Sequence, residues 1–128
     1  MRGTVKYFNN ARGYGFIYDL DGKEIFVHQS SINMDGFRSL HADDIVQFEI
    51  GAGKNGREQA VNVTPIITMK VIKAALGKDG LYVKKPFRDA YGVKKYHVVN
   101  ADNLIQNGEQ GMTFEELADW AEIKVEEN

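Results

Sequence analysis

The chain has 128 residues, with 16 Lys/Arg against 18 Asp/Glu, 43% apolar residues and no cysteine. That length suits one domain or two very small ones, and the net charge of −2 argues against a protein that coats duplex DNA by charge alone. The missing cysteines exclude disulfides and thiolate metal sites.

The N-terminus, Met1-Arg2-Gly3-Thr4-Val5-Lys6, has no apolar leader core. The apolar runs are too short to cross a bilayer. A cytoplasmic protein with no membrane partner is expected, and the triplet Asn62-Val63-Thr64 is then a chance match to a glycosylation site.

The first half reads as short strands divided by turn signals. Strands are predicted over Thr4–Asn9, Gly13–Asp19, Glu24–His28, Ile45–Ile50 and Gln59–Val63. Asn9-Asn10 breaks the first strand and Leu20–Lys23 turns after the second. A longer connection runs from Gln29 to His41, Asn55-Gly56 signals a hairpin, and Pro65 closes the last strand. Five short strands without a helix predict a small closed barrel.

The second half is mixed. Ile67–Leu76 fits a strand or a short helix, and the Gly77–Gly80 turn before Leu81–Lys85 favours a hairpin. Lys94–Asn100 reads as a strand. Thr113–Glu122 is predicted as a helix: Thr113 and Glu116 form a capping box, and Phe114, Leu117, Ala118 and Ala121 share a face. Ile123–Glu127 reads as a last strand or a frayed end. The fold class is therefore mainly β, with a barrel over 1–66 and a small α+β region with one helix over 67–128.

Function concentrates in Arg12-Gly13-Tyr14-Gly15-Phe16-Ile17. Side chains alternate along a strand, so Tyr14 and Phe16 point one way and Ile17 the other. In Ile25-Phe26-Val27-His28, Phe26 and His28 share a face opposite Ile25 and Val27. Pairing of these strands would show Tyr14, Phe16, Phe26 and His28 on one side. Strand aromatics are commonly core, but here Ile17, Ile25 and Val27 already supply one. A sheet face of rings suits unpaired bases, each stack being worth about 1–3 kcal/mol. Lys6 and Arg12 flank the face and could meet phosphates. The Arg-Gly-Tyr-Gly-Phe string also fits an RRM signature, but that fold needs a strand and a helix first, and only eleven residues precede Arg12.

These segments resemble the cold-shock domain family. The resemblance runs through Gly3–Asn9, Arg12–Ile17, Ile25–His28, Gly36–Leu40 and Gln59–Thr64, about half of the chain. It implies a five-stranded OB-type barrel that binds single-stranded RNA or DNA, as RNA chaperones and transcription or translation regulators of this family do, with no cofactor and no reaction catalysed. It implies a binding face of Lys6, Tyr7, Phe8, Tyr14, Phe16, Phe26, His28 and Phe37, with Arg38 and Arg57 as further phosphate contacts. Three positions depart from the family pattern: Tyr7 stands where Trp is usual, Gln29 where Phe is frequent, and Tyr14 where Phe is usual. Binding is expected to be retained with a smaller stacking area.

Other signals carry less. Gly51–Gly56 matches G-x-G-x-x-G, but a strand follows where a dinucleotide site needs a helix. His41, Asp43 and Asp44 read as a solvated turn, not a metal site, and His28, His41 and His97 lack ligand spacing. No Ser/His/Asp or paired-carboxylate arrangement stands out.

Residues 70–97 hold eight basic side chains against Asp79 and Asp89, while 98–128 hold Lys124 against eight acids. Tyr82, Phe87, Tyr91 and Tyr96 are interleaved with the basic block. Three readings stand: a second nucleic-acid surface, two blocks that attract each other around an aromatic core, or a homodimer interface using Phe114 and Trp120. The main functional expectation is a non-enzymatic binder of single-stranded nucleic acid. The alternative is a protein-interaction or assembly module whose functional end is the second half, with the barrel as adaptor.

Overall fold

In a computed structural model that describes residues 1–36, 38–53 and 56–123, the alternating segments of the first half form five strands. They are β1 (Arg2–Asn9), β2 (Tyr14–Tyr18), β3 (Glu24–His28), β4 (Ile45–Ala52) and β5 (Glu58–Ile67). Neighbours pair in the order β1-β2-β3-β5-β4, and β4 returns to β1 to close a barrel. All pairs are antiparallel except β3–β5, where Phe26 faces Gln59 and Val27 faces Ala60. The chain divides into two compact units, Met1–Thr68 and Met69–Asn128.

The interior follows the two-residue period of the strands. Val5, Ile17, Ile25, Val27, Val46, Phe48, Ala60 and Val63 turn inward and are buried, joined by Ile32 and Leu40 from the long connection. Between Val5 and Tyr7 the pairing of β1 with β2 slips, so Lys6 is an extra residue in β1. The slip reverses the alternation beyond it. Tyr7 comes to face Phe16, and Phe8 comes to face Gly15 and packs on the core. Gly15 leaves the space for this: a Cβ there would lie 2.7 Å from the Phe8 Cα and closer still to the Tyr7 carbonyl oxygen.

Pro65 does not end β5, which continues to Ile67. Pro65 lies opposite Val46 beside a second slip in register, where a ladder tolerates a residue with no N–H. The Asn55-Gly56 hairpin signal falls partly on residue 55, outside the described residues.

The turn at His41–Asp44 is not fully solvated. Asp44 is buried, and its carboxylate accepts the His41 N–H at 3.0 Å. Its backbone carbonyl accepts from Val5 N–H at 2.9 Å, and Asp43 N–H donates to the Val5 carbonyl at 2.8 Å. These bonds clamp the turn onto β1, so the carboxyl must enter the protein. Burial pushes the Asp44 carboxyl above its ordinary value, opposed by the His41 N–H.

The second unit begins with α1 (Met69–Gly77), a helix where the hairpin pattern was favoured. Ile72 and Leu76, four residues apart, are buried, and the segment is rich in the helix formers Ala, Leu, Lys and Met. Gly80, at φ 69°, reverses the chain, and Leu81 N–H donates to the Leu76 carbonyl. The predicted Lys94–Asn100 strand divides in two. β7 (Phe87–Arg88) pairs with β8 (Lys94–Lys95), while β6 (Tyr82–Val83) pairs with β9 (Val98–Val99). Tyr96, between them, exchanges backbone hydrogen bonds with Met112. The helix α2 (Phe114–Trp120) has the expected capping box at Thr113 and Glu116. The hydrogen bonds from the Thr113 N–H and hydroxyl hold the Glu116 carboxyl below its ordinary value. The end of the predicted last strand, residues 124–127, lies outside the described residues.

One turn occurs three times among the described residues. Asp19, Asp89 and Asn100 each accept two backbone N–H groups on one side-chain oxygen, from residues two and four positions later. Gly22, Gly92 and Asn103 take the left-handed conformation that each turn needs.

Gly15→Ala should lower stability by about 1–3 kcal/mol or more, because backbone and not a flexible side chain blocks the methyl group; a fall in the urea midpoint checks this. Asp44 should make stability pH-dependent. The folded carboxyl binds its proton more tightly than the unfolded one, whose ordinary value is 3.8. Stability should therefore fall as pH rises from that value through the raised folded one. Asp44→Asn keeps an acceptor for His41 and should remove this slope, as read from urea midpoints between about pH 4 and pH 7.

Candidate nucleic-acid interface

The outward positions of β1, β2 and β3 form a continuous aromatic surface. Register places Tyr7 beside Phe16, Phe16 beside Phe26, and Tyr14 beside His28. Ring centroids are 5.7 Å apart for Tyr7–Phe16 and 5.9 Å apart for both Phe16–Phe26 and Tyr14–Phe26. The Tyr14 and Phe26 planes are stacked, while Phe16 meets Phe26 edge to face. Tyr7 is 42% exposed and the other three rings are half-buried, so their outer faces are open while their inner edges pack together.

His28 extends the row and is oriented by the start of the next turn. Its Nδ1 accepts the Ser30 N–H at 3.1 Å and lies 2.8 Å from the Ser30 hydroxyl. In the neutral ring this places the proton on Nε2, leaving a donor there. Gln29, at the position where the family frequently has a ring, lies against Gly13 instead.

The expected binding residues are not all brought together. Tyr7, Tyr14, Phe16, Phe26 and His28 share the face. Phe8 is half-buried against the core, on the inner side of the slip in β1. Phe37 lies outside the described residues. Arg12 is exposed in the turn that the Asn9 side chain organises by accepting the Ala11 and Arg12 N–H groups. Arg38 is exposed and donates to the Ser30 carbonyl at 3.2 Å. Arg57 is exposed just before β5.

Two neighbours on the face were missed in the sequence, although the same alternation reaches them. Tyr18 follows Tyr14 and Phe16, and Glu24 precedes Phe26 and His28; the two lie opposite each other. Glu24 forms an ion pair with Lys6, whose Nζ also lies 5.7 Å from the Tyr18 ring centroid. The hydrogen bond that Lys6 donates to the Glu24 carboxylate raises the Lys6 ammonium above its ordinary value, with weaker help from the charges of Glu24 and Tyr18. Lys6 is thus a fixed cation at the edge of the rings, with an acid already beside it. Lys23 pairs with Glu58 at 3.1 Å in the same manner. Among the described residues, no group of three or more His, Asp or Glu is placed to hold a metal ion. None of the described helices is long and apolar enough to cross a membrane.

A closed five-stranded barrel in this strand order, with rings on one outer face, is a small OB-type barrel. The family described as 'Cold-shock' DNA-binding domain matches residues 1–66, and the chain belongs to that family. It is 52% identical over 65 residues to the cold shock-like protein CspA of Stigmatella aurantiaca, covering 50% of this chain and 94% of that protein. It is 49% identical over 63 residues to the cold shock-like protein CspD of Escherichia coli K12, covering 48% of this chain and 85% of that protein. Glycine-rich protein 2 of Nicotiana sylvestris is 52% identical over 64 residues, 49% of this chain, and the chain spans 30% of that longer protein.

Glu24→Gln should return the Lys6 ammonium toward its ordinary value of 10.5, by loss of the charged acceptor. An NMR titration of Lys6 should show the downward shift. The same change should strengthen binding of a short single strand several-fold and steepen its salt dependence by about 0.7 in the log–log slope, the value for one added phosphate contact.

Proposed function

We propose that the protein binds single-stranded RNA or DNA by stacking bases on Tyr7, Phe16, Phe26 and Tyr14, and that it keeps such strands unpaired. Its role is that of an RNA chaperone or a transcription or translation regulator, with no reaction catalysed. The observation that carries this reading is the unbroken row of outward rings at centroid spacings of 5.7–5.9 Å on an otherwise filled barrel. Buried aliphatics already make the core, so the rings are not needed inside. A duplex hides the base faces that such a row recognises, which restricts the ligand to unpaired strands. Stacking is tolerant of sequence because every base has a π-face. His28 Nε2–H and Lys6 add polar contacts at the two ends of the row. The family description and the names of the bacterial relatives, cold shock-like proteins, agree with this reading.

The double variant Phe16→Ala/Phe26→Ala should weaken binding of a labelled pyrimidine-rich oligonucleotide at least about thirtyfold, at 1 kcal/mol or more per lost stack. Phe16→Leu keeps apolar bulk without a π-face, so it separates stacking from folding and should also weaken binding. Unchanged affinity in both variants, with native circular dichroism, would sink the proposal.

A further inference from the structure

The geometry points to a second contact surface for the same single strand, built on the lysines of the α1–β6 segment; this rests on the stacking reading above. Lys70 and Lys73 are exposed on α1, whose Ile72 and Leu76 are buried. Lys78 is exposed in the turn that Gly80 N–H closes onto the Gly77 carbonyl at 3.1 Å. Along β6 and its continuation, Tyr82 and Lys84 alternate outward around the half-buried Val83. Lys84 is held in extended backbone by its N–H bond to the His97 carbonyl at 2.9 Å, and exposed Lys85 follows. α1 packs beside β6, so helix, turn and strand form one local surface.

These five lysines are exposed, and none has an acidic partner among the described residues. Asp79 is the one acid in residues 70–85. The ion pair that the acidic block makes at Lys95–Glu116, 3.9 Å, lies outside this segment. The interleaved aromatics also separate into two kinds. Tyr96 is buried, and Phe87 stacks on His97 at 4.5 Å, whereas Tyr91 is exposed in the turn between β7 and β8 and Tyr82 is 59% exposed beside the lysines.

Five neighbouring ammonium groups without an acid partner among the described residues repel one another, and an extended polyanion relieves that repulsion while releasing its own counterions. On the barrel the lysines Lys6 and Lys23 are held by Glu24 and Glu58, while Arg12 and Arg57 are exposed. The second unit carries five exposed lysines without an acid partner among the described residues, with Tyr82 exposed beside them and Tyr91 exposed farther along. Only Thr68 stands between β5 and α1, and a strand engaged by two linked surfaces binds more tightly than by either alone. A single-stranded nucleic acid uses both charge and ring, whereas an acidic polypeptide uses charge alone.

The test uses the full-length chain and labelled oligothymidylates of about six and about twenty nucleotides, the shorter within the site size of one OB fold. Lys78→Gln/Lys84→Gln/Lys85→Gln should weaken twenty-mer binding at least about tenfold at low salt and flatten its log–log salt slope by about 2, at 0.7 per phosphate. Tyr82→Ala should weaken the twenty-mer further. The ring pair Phe16→Ala/Phe26→Ala should instead lose both oligomers and keep the slope. Wild-type affinity and slope in the triple lysine variant would overturn the second surface, and loss in the ring pair alone would leave the stacking reading standing. If the triple variant loses binding of polyglutamate but not of the twenty-mer, the patch serves an acidic polypeptide and the inference is overturned.

Discussion

The close approach of Phe8 to the backbone of Gly15 is the constraint on which the aromatic face depends. β1 carries one residue too many for its pairing with β2, and that residue is Lys6. Past the slip, Phe8 falls on the inner side and Tyr7 on the outer. The inner side has room for a phenyl ring because position 15 has no side chain. A regular β1 would send Tyr7 inward and Phe8 outward, so one extra residue and one missing Cβ together decide which ring joins the row.

The barrel's filling explains why the rest of the row stays outside. Ile17, Ile25 and Val27 alternate with Phe16, Phe26 and His28, and Ile32 and Leu40 complete the core from the long connection. With that space occupied, the outer rings gain only partial burial, by packing on one another. They keep an open face each, at the cost of leaving apolar area in water. A protein tolerates such a patch where a ligand covers it. The acid Glu24 within the same surface tempers the charge of Lys6.

The second unit has the opposite balance. Short two-stranded pairs and two helices leave it a small core around Ile72, Leu76, Tyr96, Val98 and Leu117. Much of its order comes from side-chain-braced turns, such as Asp89 and Asn100 holding the backbone two and four residues on. Asn107 adds to this by bonding both Val98 N–H and the Tyr96 carbonyl. The lysines of α1, the following turn and β6 are exposed without an acid partner among the described residues, while Lys95 pairs with Glu116.

The sequence by itself determined the five barrel strands, the pairing of ring positions with aliphatic ones, and the capped helix α2, because all three rest on local period or on contacts three residues apart. The same alternation, followed one step further, would have reached Tyr18 and Glu24. Tertiary structure decided the rest. α1 formed where a hairpin was favoured: Ile72 and Leu76, four residues apart, share a face in a strand and in a helix alike, and the helix formers around them and packing beside β6 decide for the helix. The stretch from Lys94 to Asn100 broke into two strands because Tyr96 pairs with distant Met112 instead of continuing one ladder. Asp44 became buried through backbone bonds to Val5, and Lys6 became paired through a neighbour eighteen residues away. Register slips, burial of a carboxylate and ion pairs across strands depend on residues far apart in the chain, and no local period encodes them.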